Sequence, residues 1–380
     1  MAKDTYLSDV SFLRQHTEII ELPAGRDAAV AVAPAYQGRV MTSTLAGPRG
    51  RSFGWLHRRF IASGADDVQF NNYGGEDRFW LGPEGGQFAL FFHAGEPFDL
   101  PHWKTPPGFN TGAFEVIRRG KDSVTMARRM DVANCAGTMF CCLVRRTIAV
   151  LSRTKARQAL RAVVPPAVKM VAFESRNTLT NAGVQAWNPD GGMVSIWILG
   201  QFKPLPRGKV IVPFKPGEEG KLGPKATTNY FGQIPPSRCR VGEDLLLLKC
   251  DGKYRSKIGI SPARARSVLG SYDPDGKVLT IAQFNLPRGA AGVPYVNSLW
   301  EMQDRPFGGD VVNSYNDGPA TPGAGQLGPF YELETSSPAA ELEPGHAITH
   351  IHRTFHFAGP AKALAALAKK VLGADLKDIR

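Results

Sequence analysis

The 380-residue sequence predicts an all-β protein: a large, mostly antiparallel β-sandwich with a C-terminal amphipathic helix. Three observations predict this class. Segments rich in β-branched and aromatic residues recur along the chain. The 41 glycines and 29 prolines are scattered rather than tandem, as expected for many turns. Strand and helix patterns do not alternate regularly, which disfavours a parallel, doubly wound sheet. We expect one sandwich domain over residues 1–358 and a helix over 359–380 packed on it.

The strands are predicted from runs of apolar, aromatic and β-branched residues bounded by turn sequences such as Asp273-Pro-Asp-Gly276. In chain order they are 28–32, 39–45, 88–92, 114–118, 123–130, 138–150, 168–180, 193–199, 209–213, 244–249, 278–284 and two further strands that end at residue 357. Four long, weakly structured stretches separate some of them: 60–86, 101–112, 214–240 and 286–327. Because binding sites on β scaffolds are commonly built from loops, we expect the site to lie in these stretches.

The last two predicted strands carry the densest set of titratable side chains. Alternation places Glu332 and Glu334 on one face of the first, and four histidines, His350 and His352 among them, on one face of the second. Two buried carboxylates would raise at least one pKa towards the range of a general acid or base, whereas exposed ones would form a solvated edge. The two histidines and a carboxylate suit a divalent metal; otherwise this face lines a half-wet sheet surface.

The C-terminal helix is predicted from an apolar stripe that follows the breaker Gly359-Pro360. The stripe consists of Leu364, Leu367, Ala368, Val371 and Leu372. We expect this helix to cover a sheet edge or to pack on the sandwich. A membrane-surface role is disfavoured, because the stripe is short and rich in alanine.

The first candidate binding cluster is a glycine-bracketed stretch that contains Glu76, Asp77, Arg78 and Trp80. Aromatic faces stack on the C–H surfaces of sugars, while arginine and carboxylates bind hydroxyl groups, so this mixture suits a carbohydrate. The alternative is an acid–arginine network that only holds a long loop in place.

Two further clusters have weaker signals. His102, Trp103 and Lys104 stand between prolines in a stiff loop, where His102 would serve as an acid or base, or else as an ordinary surface histidine. Asn313 and Asn316 belong to a hydrogen-bonding stretch that leads into the strand of the two glutamates.

The net charge of +12 raises the question of a polyanionic partner. Seven basic residues and no acidic one lie between Arg145 and Lys169, but no nucleic-acid-binding motif accompanies them, so we expect no nucleic-acid partner. An anionic sugar or polysaccharide is the alternative partner that this charge suits. No apolar run is long enough to insert into a membrane. The N-terminus lacks the apolar core of a signal peptide, which predicts a cytoplasmic protein as written, or a periplasmic or secreted one if a signal was removed.

The C-terminal region resembles the end of aldose 1-epimerases (galactose mutarotases). The resemblance rests on Leu333-Glu-Thr-Ser-Ser-Pro338, Glu343-Pro-Gly345 and His352-Arg-Thr-Phe-His-Phe357, and further matches occur at 38–45, 77–78 and 177–181. It implies a β-supersandwich with a carbohydrate site on its concave face, Glu334 as catalytic base and Arg78 as the substrate-orienting residue. Where this family has a strand with an acid histidine, residues 193–202 contain none, and Trp197 is suited to stacking instead.

These observations lead to one hypothesis and two alternatives. The hypothesis is a carbohydrate-active protein of the aldose-epimerase type, an isomerase, with Glu334, His102 and Arg78 in catalysis and no cofactor. Its substrate, a neutral or anionic carbohydrate, would contact Glu76, Asp77, Trp80, Trp103, Lys104, Trp197, Asn313, Asn316 and Glu332. The alternatives are a carbohydrate-binding protein without catalysis, and a metal-dependent sugar lyase or hydrolase that uses His350 and His352. In the first hypothesis His102 or a C-terminal histidine would replace the missing acid.

Overall fold

The computed structural model describes residues 5–321 and 323–379. Its strands are β1 Ile20–Pro23, β2 Ala29–Ala33, β3 Arg39–Thr44, β4 Arg78–Gly82, β5 Glu115–Arg119, β6 Ser123–Ala133, β7 Met139–Val150, β8 Lys169–Asn181, β9 Ser195–Phe202, β10 Lys209–Pro213, β11 Cys239–Val241, β12 Leu245–Lys249, β13 Ser256–Ile260, β14 Val268–Asp273, β15 Val278–Phe284, β16 Val312–Asn316, β17 Tyr331–Ser336 and β18 Ala347–Ala358. Its helices are α1 Tyr6–Leu13, α2 Arg58–Ser63, α3 Pro107–Asn110, α4 Arg153–Leu160, α5 Glu219–Leu222 and α6 Ala361–Leu372, with short 3₁₀ turns at Ala290–Gly292 and Leu376–Ile379.

The strands form three sheets, and neighbouring strands within them are antiparallel. The largest sheet has ten strands in the order β11-β12-β10-β14-β15-β18-β8-β7-β6-β5. A five-stranded sheet has the order β13-β16-β17-β9-β4, and β1, β2 and β3 form a third. The predicted class, a mostly antiparallel β-sandwich with a C-terminal helix, is confirmed.

The ten-stranded and five-stranded sheets pack face to face, and β18 shows how each strand face is used. His350 and His352 of β18 reach Thr335 of the smaller sheet. Phe355 and Phe357 point the opposite way and pack with buried apolar residues of α4 and α6. The period-two pattern of this strand therefore directs polar side chains between the sheets and apolar ones towards the helices.

The strand predictions fail in several places that matter for the site, and β13 is among the strands that were not predicted. The predicted strand at 88–92 is wrong: this segment forms turns and bends, and its residues 89–92 belong to the main apolar core. The stretches 60–86 and 286–327, expected to be loops, contain β4 and β16. Every residue of these two strands is buried, so no alternation of polar and apolar residues marks them in the sequence. No helix in the described part of the chain is long and apolar enough to cross a membrane.

Candidate functional site

One face of the five-stranded sheet carries a dense set of polar and aromatic side chains. Thr335 and Phe202 point from this sheet towards histidines of β18, into the space between the sheets. The residues next to them in each strand therefore point to the opposite, outward face of the small sheet. The side chains on that outward face include Lys257 of β13, Tyr315 of β16, Glu332 and Glu334 of β17, Trp197 and Gln201 of β9, and Arg78 and Trp80 of β4. Loops cover this face and leave a cavity of about 460 Å³, its open mouth included.

A buried charge cluster of three carboxylates and two cations adjoins the cavity; Arg78, Glu84, Lys257 and Glu332 line it, and Glu334 lies behind them. Arg78 Nη2 lies 2.8 Å from Glu332 Oε1. Lys257 Nζ lies 3.2 Å from Glu84 Oε2 and 3.7 Å from Glu334 Oε2. None of the five side chains is more than 8% exposed. With every group ionised, the cluster would carry one uncompensated negative charge, which burial makes costly.

Burial shifts the proton affinities of this cluster. It raises the pKa of Glu332 to about 8, against the opposing effect of Arg78 and with the added repulsion of Glu334. It raises the pKa of Glu334 as well, against the effect of Lys257. Burial lowers the pKa of Lys257, but the three carboxylates outweigh that effect and the net shift is upward. Lys257 is therefore a cation at neutral pH, while the carboxyl groups can share a proton.

Glu334 is the most enclosed member of the cluster. Its Oε2 accepts a hydrogen bond from Trp197 Nε1 at 2.9 Å, and its side chain has no exposed surface. Its other oxygen, Oε1, has no hydrogen-bond partner among the described residues. Glu332, by contrast, lines the open cavity itself. The two glutamates share a strand face, as the sequence predicted, but they differ in access.

Several other buried polar atoms around the cavity also lack partners within the described residues. They are Nε and Nη1 of Arg78, Nε1 of Trp80 and of Trp300, and both amide atoms of Gln201. Buried polar groups are normally satisfied, so a cluster of unpaired ones around one cavity is typical of a site for a polar ligand.

Tryptophans form the walls of the cavity. Trp80 lies edge-on to Trp197 with ring centroids 5.7 Å apart, and 6.0 Å from Trp103. The Arg78 guanidinium lies 4.0 Å from the Trp80 ring, and Trp103 Nε1 donates to Glu84 Oε1 at 3.0 Å. The cavity thus combines aromatic surfaces with charged hydrogen-bonding groups, the combination that binds sugars.

Solved structures share this arrangement of sheets. An aldose 1-epimerase-like protein of Escherichia coli K12 superposes with a TM-score of 0.52 at 11% identity, over 89% of this chain and 98% of that chain. A protein of Synechocystis sp. gives a TM-score of 0.51 at 12% identity, over 90% and 96%. The fold is therefore the mutarotase-like β-sandwich, and the resemblance found in the sequence is confirmed at the level of fold.

A family model also matches residues 4–380, that of the family of unknown function DUF6786. The chain belongs to this family. No curated protein matches it.

In this DUF6786 chain, two residues of the first predicted cluster lie away from the cavity. Glu76 Oε2 contacts His356 Nε2 at 2.8 Å, between the sheets. Asp77 bonds Arg146 at 2.5 Å and Ser175 at 2.6 Å in the same interior. The expectation that these two acids bind substrate is therefore corrected: both are taken up by interior polar partners.

The residues of the second predicted cluster, His102 to Lys104, likewise do not all reach the cavity. Trp103 lines the cavity, but His102 lies at the surface, 39% exposed, with Nδ1 2.5 Å from Asp99 Oδ1. Lys104 is exposed to solvent as well. The proline-bracketed loop turns these two polar side chains outwards, so His102 cannot replace the acid histidine in this cavity.

The two predicted asparagines serve mainly as structural hydrogen-bonding groups. Asn316 accepts from the Gly252 amide and donates to the Tyr254 carbonyl. Asn313 donates to the Tyr230 hydroxyl at 3.0 Å, in a small cavity next to Lys257. The expectation that Asn316 contacts substrate is therefore corrected, because backbone groups occupy its side chain. Asn313 lies beside the site.

His350 and His352 of the DUF6786 chain lie beneath the small sheet, between the layers. His350 Nε2 and His352 Nδ1 share the Thr335 hydroxyl, at 2.8 and 2.9 Å. Burial lowers their pKa values to about 3 and about 4, so both are neutral. The sheet separates them from the cavity, and the expectation that one of them supplies its acid is wrong. Within residues 5–321 and 323–379 no group of three or more His, Cys, Asp or Glu side chains could hold a metal ion.

Sequence reasoning missed Lys257, Gln201 and Arg255, which line the cavity. No sequence signal marks Lys257: β13 reads Ser-Lys-Ile-Gly-Ile and follows Lys253 and Arg255, yet every residue of the strand is buried. Its partner Glu84 lies 173 residues away in the sequence, so local patterns do not reveal the pair.

Proposed function

We propose that the protein binds a sugar or sugar derivative in the cavity and transfers a proton between its oxygens, with Glu334 as base. The observation that carries this proposal is the unpaired, fully buried Oε1 of Glu334. Trp197 and Lys257 hold the other oxygen, so Oε1 is the atom left to accept a proton. The fold shared with aldose 1-epimerase-like proteins supports a reaction of that type.

In such a reaction the sugar ring opens and closes. Glu334 takes the proton of the anomeric hydroxyl while the bond between the anomeric carbon and the ring oxygen breaks, and the ring oxygen receives a proton. Glu332 is the acid we assign to this second transfer, because it lines the cavity and burial raises its pKa to about 8. Two carboxyl groups in different environments can divide acid and base roles in this way. Closing the ring on the other face of the aldehyde returns both protons and gives the second anomer.

Binding would rest on the tryptophans and on Arg78. Trp80 and Trp103 provide flat apolar surfaces, and Nε and Nη1 of Arg78 are free to donate to sugar hydroxyls. Glu332 fixes the rest of the Arg78 guanidinium at 2.8 Å, so little ordering is needed when a ligand binds.

The test is the rate at which anomers equilibrate, followed by proton NMR with a panel of aldoses freshly dissolved as single anomers. We expect acceleration by the wild type and a loss of about a hundredfold or more in Glu334→Gln, the order that general acid–base groups contribute. Glu343→Gln, the same substitution at an exposed position, is the matched control. A Glu334→Gln variant as active as the control would contradict the role of Glu334.

One observation favours a second function, carbohydrate binding without catalysis. The side chain of Glu334 is fully enclosed and does not line the cavity, so a ligand reaches it only if neighbouring side chains move. Sugar binding measured by calorimetry, with anomers equilibrating no faster than in buffer, would support this alternative.

A further inference from the structure

We propose that the cavity mouth contains a subsite for an anionic group of the ligand, a carboxylate or a phosphate, which Arg255 binds. The inference rests on the proposed sugar site and names the class of sugar that the site prefers.

The position of Arg255 is fixed by aromatic rings rather than by an acid. Its guanidinium carbon lies 3.7 Å from the ring centroid of Phe231 and 5.1 Å from that of Trp300. These two rings contact each other edge-on, with centroids 5.2 Å apart. Stacking of this kind holds the guanidinium plane and leaves its N–H edge available for a bidentate partner.

Arg255 differs from the other cations that line the cavity. Arg78 is paired with Glu332, and Lys257 with Glu84. The side chain of Arg255 has no hydrogen bond and no ion pair within 4 Å among residues 5–321 and 323–379. Since arginine is fully charged at neutral pH, this half-buried cation is available to an anion from solution.

Asp317 is an acidic side chain that feels the charge of Arg255, and its oxygens are already engaged. Asp317 accepts the Tyr315 hydroxyl at 2.7 Å and the Gly328 amide at 2.9 Å. Asp317 therefore orients Tyr315 and the chain at Gly328 rather than the guanidinium of Arg255.

One unpaired donor belongs to a ring beside Arg255. The Trp300 ring centroid lies 5.1 Å from the guanidinium carbon, and Trp300 Nε1 is buried with no partner among the described residues. A carboxylate or phosphate only accepts hydrogen bonds, so an anionic group at Arg255 suits this second donor as well. The sugar ring then lies towards Trp80, where Arg78 donates to its hydroxyl groups and the unpaired Oε1 of Glu334 accepts from one.

The experiment compares affinities by calorimetry in two matched series, gluco and galacto. Each series contains the neutral hexose, its uronate and its 6-phosphate, which separates a carboxylate from a phosphate. We expect one anionic member to bind about tenfold or more tighter than its neutral hexose, and this preference to weaken with added salt. In Arg255→Gln the preference should fall to about twofold or less, with binding of the neutral hexose retained.

Arg240→Gln is the matched control, because it makes the same change of charge at an exposed residue outside the cavity lining. Circular dichroism checks that both variants are folded. Equal affinity of the wild type for neutral and anionic sugars, or a preference that survives in Arg255→Gln, overturns the anionic subsite. If neutral hexoses bind and equilibrate without such a preference, the proposed function stands and only this inference fails. If no sugar in either series binds, both fail.

Discussion

The substitution Lys257→Met tests the buried charge cluster most directly. It removes the cation that lies 3.2 Å from Glu84 and 3.7 Å from Glu334 and puts an apolar chain of similar length in its place. Both carboxylates are at most 8% exposed, so water cannot replace the lost charge. Breaking a buried ion pair by removing one partner costs about 3–5 kcal/mol.

A second route gives a consistent magnitude for Lys257→Met. The folded variant can relieve its excess charge by binding one more proton on a carboxyl group. Holding a carboxyl group with an unfolded pKa near 4.3 protonated at pH 7 costs about 4 kcal/mol, and at pH 5 about 1 kcal/mol. The folded variant retains a proton that the unfolded chain releases. The loss of stability therefore becomes smaller as the pH falls towards the pKa of the carboxyl group in the unfolded chain.

The assay is denaturant unfolding followed by far-UV circular dichroism at pH 7 and pH 5. We expect Lys257→Met to lower the unfolding free energy by about 4 kcal/mol at pH 7 and by much less at pH 5. Adding Glu334→Gln removes one uncompensated charge and should restore most of the loss at pH 7. A cost below about 1 kcal/mol, or a double variant no more stable than the single one, would refute the view that these groups are ionised and coupled.

Three further predictions concern other parts of the fold. The pKa of Glu332 is raised from 4.5 to about 8, so between these values the folded protein retains a proton that the unfolded chain loses. The stability of the wild type should therefore fall as the pH rises across this interval. In Glu332→Gln the melting temperature, measured against pH, should fall less steeply. Thr335→Val removes the hydroxyl shared by His350 and His352 and should cost about 1–3 kcal/mol in denaturant unfolding. Leu364→Ala, at a fully buried position of α6, should cost about 2–5 kcal/mol in the same measurement.

Each of these predictions has a matched control. Glu343→Gln, at an exposed position, should leave the pH profile unchanged, and an equal flattening in both variants would count against Glu332. Thr178→Val removes a hydroxyl from a half-exposed threonine pair between β8 and β18, and it should cost less than Thr335→Val. Lys362→Ala, on the exposed side of α6, should change stability by less than about 0.5 kcal/mol; a similarly small effect of Leu364→Ala would show that α6 does not hold the sheet.

The features predicted correctly from the sequence are those that repeat locally. Alternation predicts Glu332 and Glu334 on one face of β17, and the structure has this arrangement. It also predicts four histidines on one face of the last strand; His350, His352 and His356 lie so, whereas His346 precedes β18 and is exposed. The apolar stripe of α6 is likewise a local signal. Alternation alone does not say which side of the sheet a strand face meets, so it cannot show that His350 and His352 lie between the two sheets.

The parts that failed depend on contacts between distant segments. Arg78 and Asp77 are adjacent in sequence, yet one points into the cavity and the other between the sheets, because β4 begins there. The sequence of β4 is typical of a loop for two reasons. Glycines surround the strand, and because both of its faces are buried it lacks the polar–apolar alternation of a half-exposed strand. Lys257 was missed since its partners lie on β17 and in the segment that follows β4.

The alternation of β17 has a consequence for how the protein can vary. This one strand holds the cavity carboxylates on one face and, through Thr335, the neutral imidazoles on the other. A single-residue insertion or deletion there would exchange the two environments, placing Leu333 in the cavity and a carboxylate against His350. Length changes in β17 are therefore tolerable only in steps of two residues, and substitutions on its interior face can alter ligand binding without any contact with the ligand.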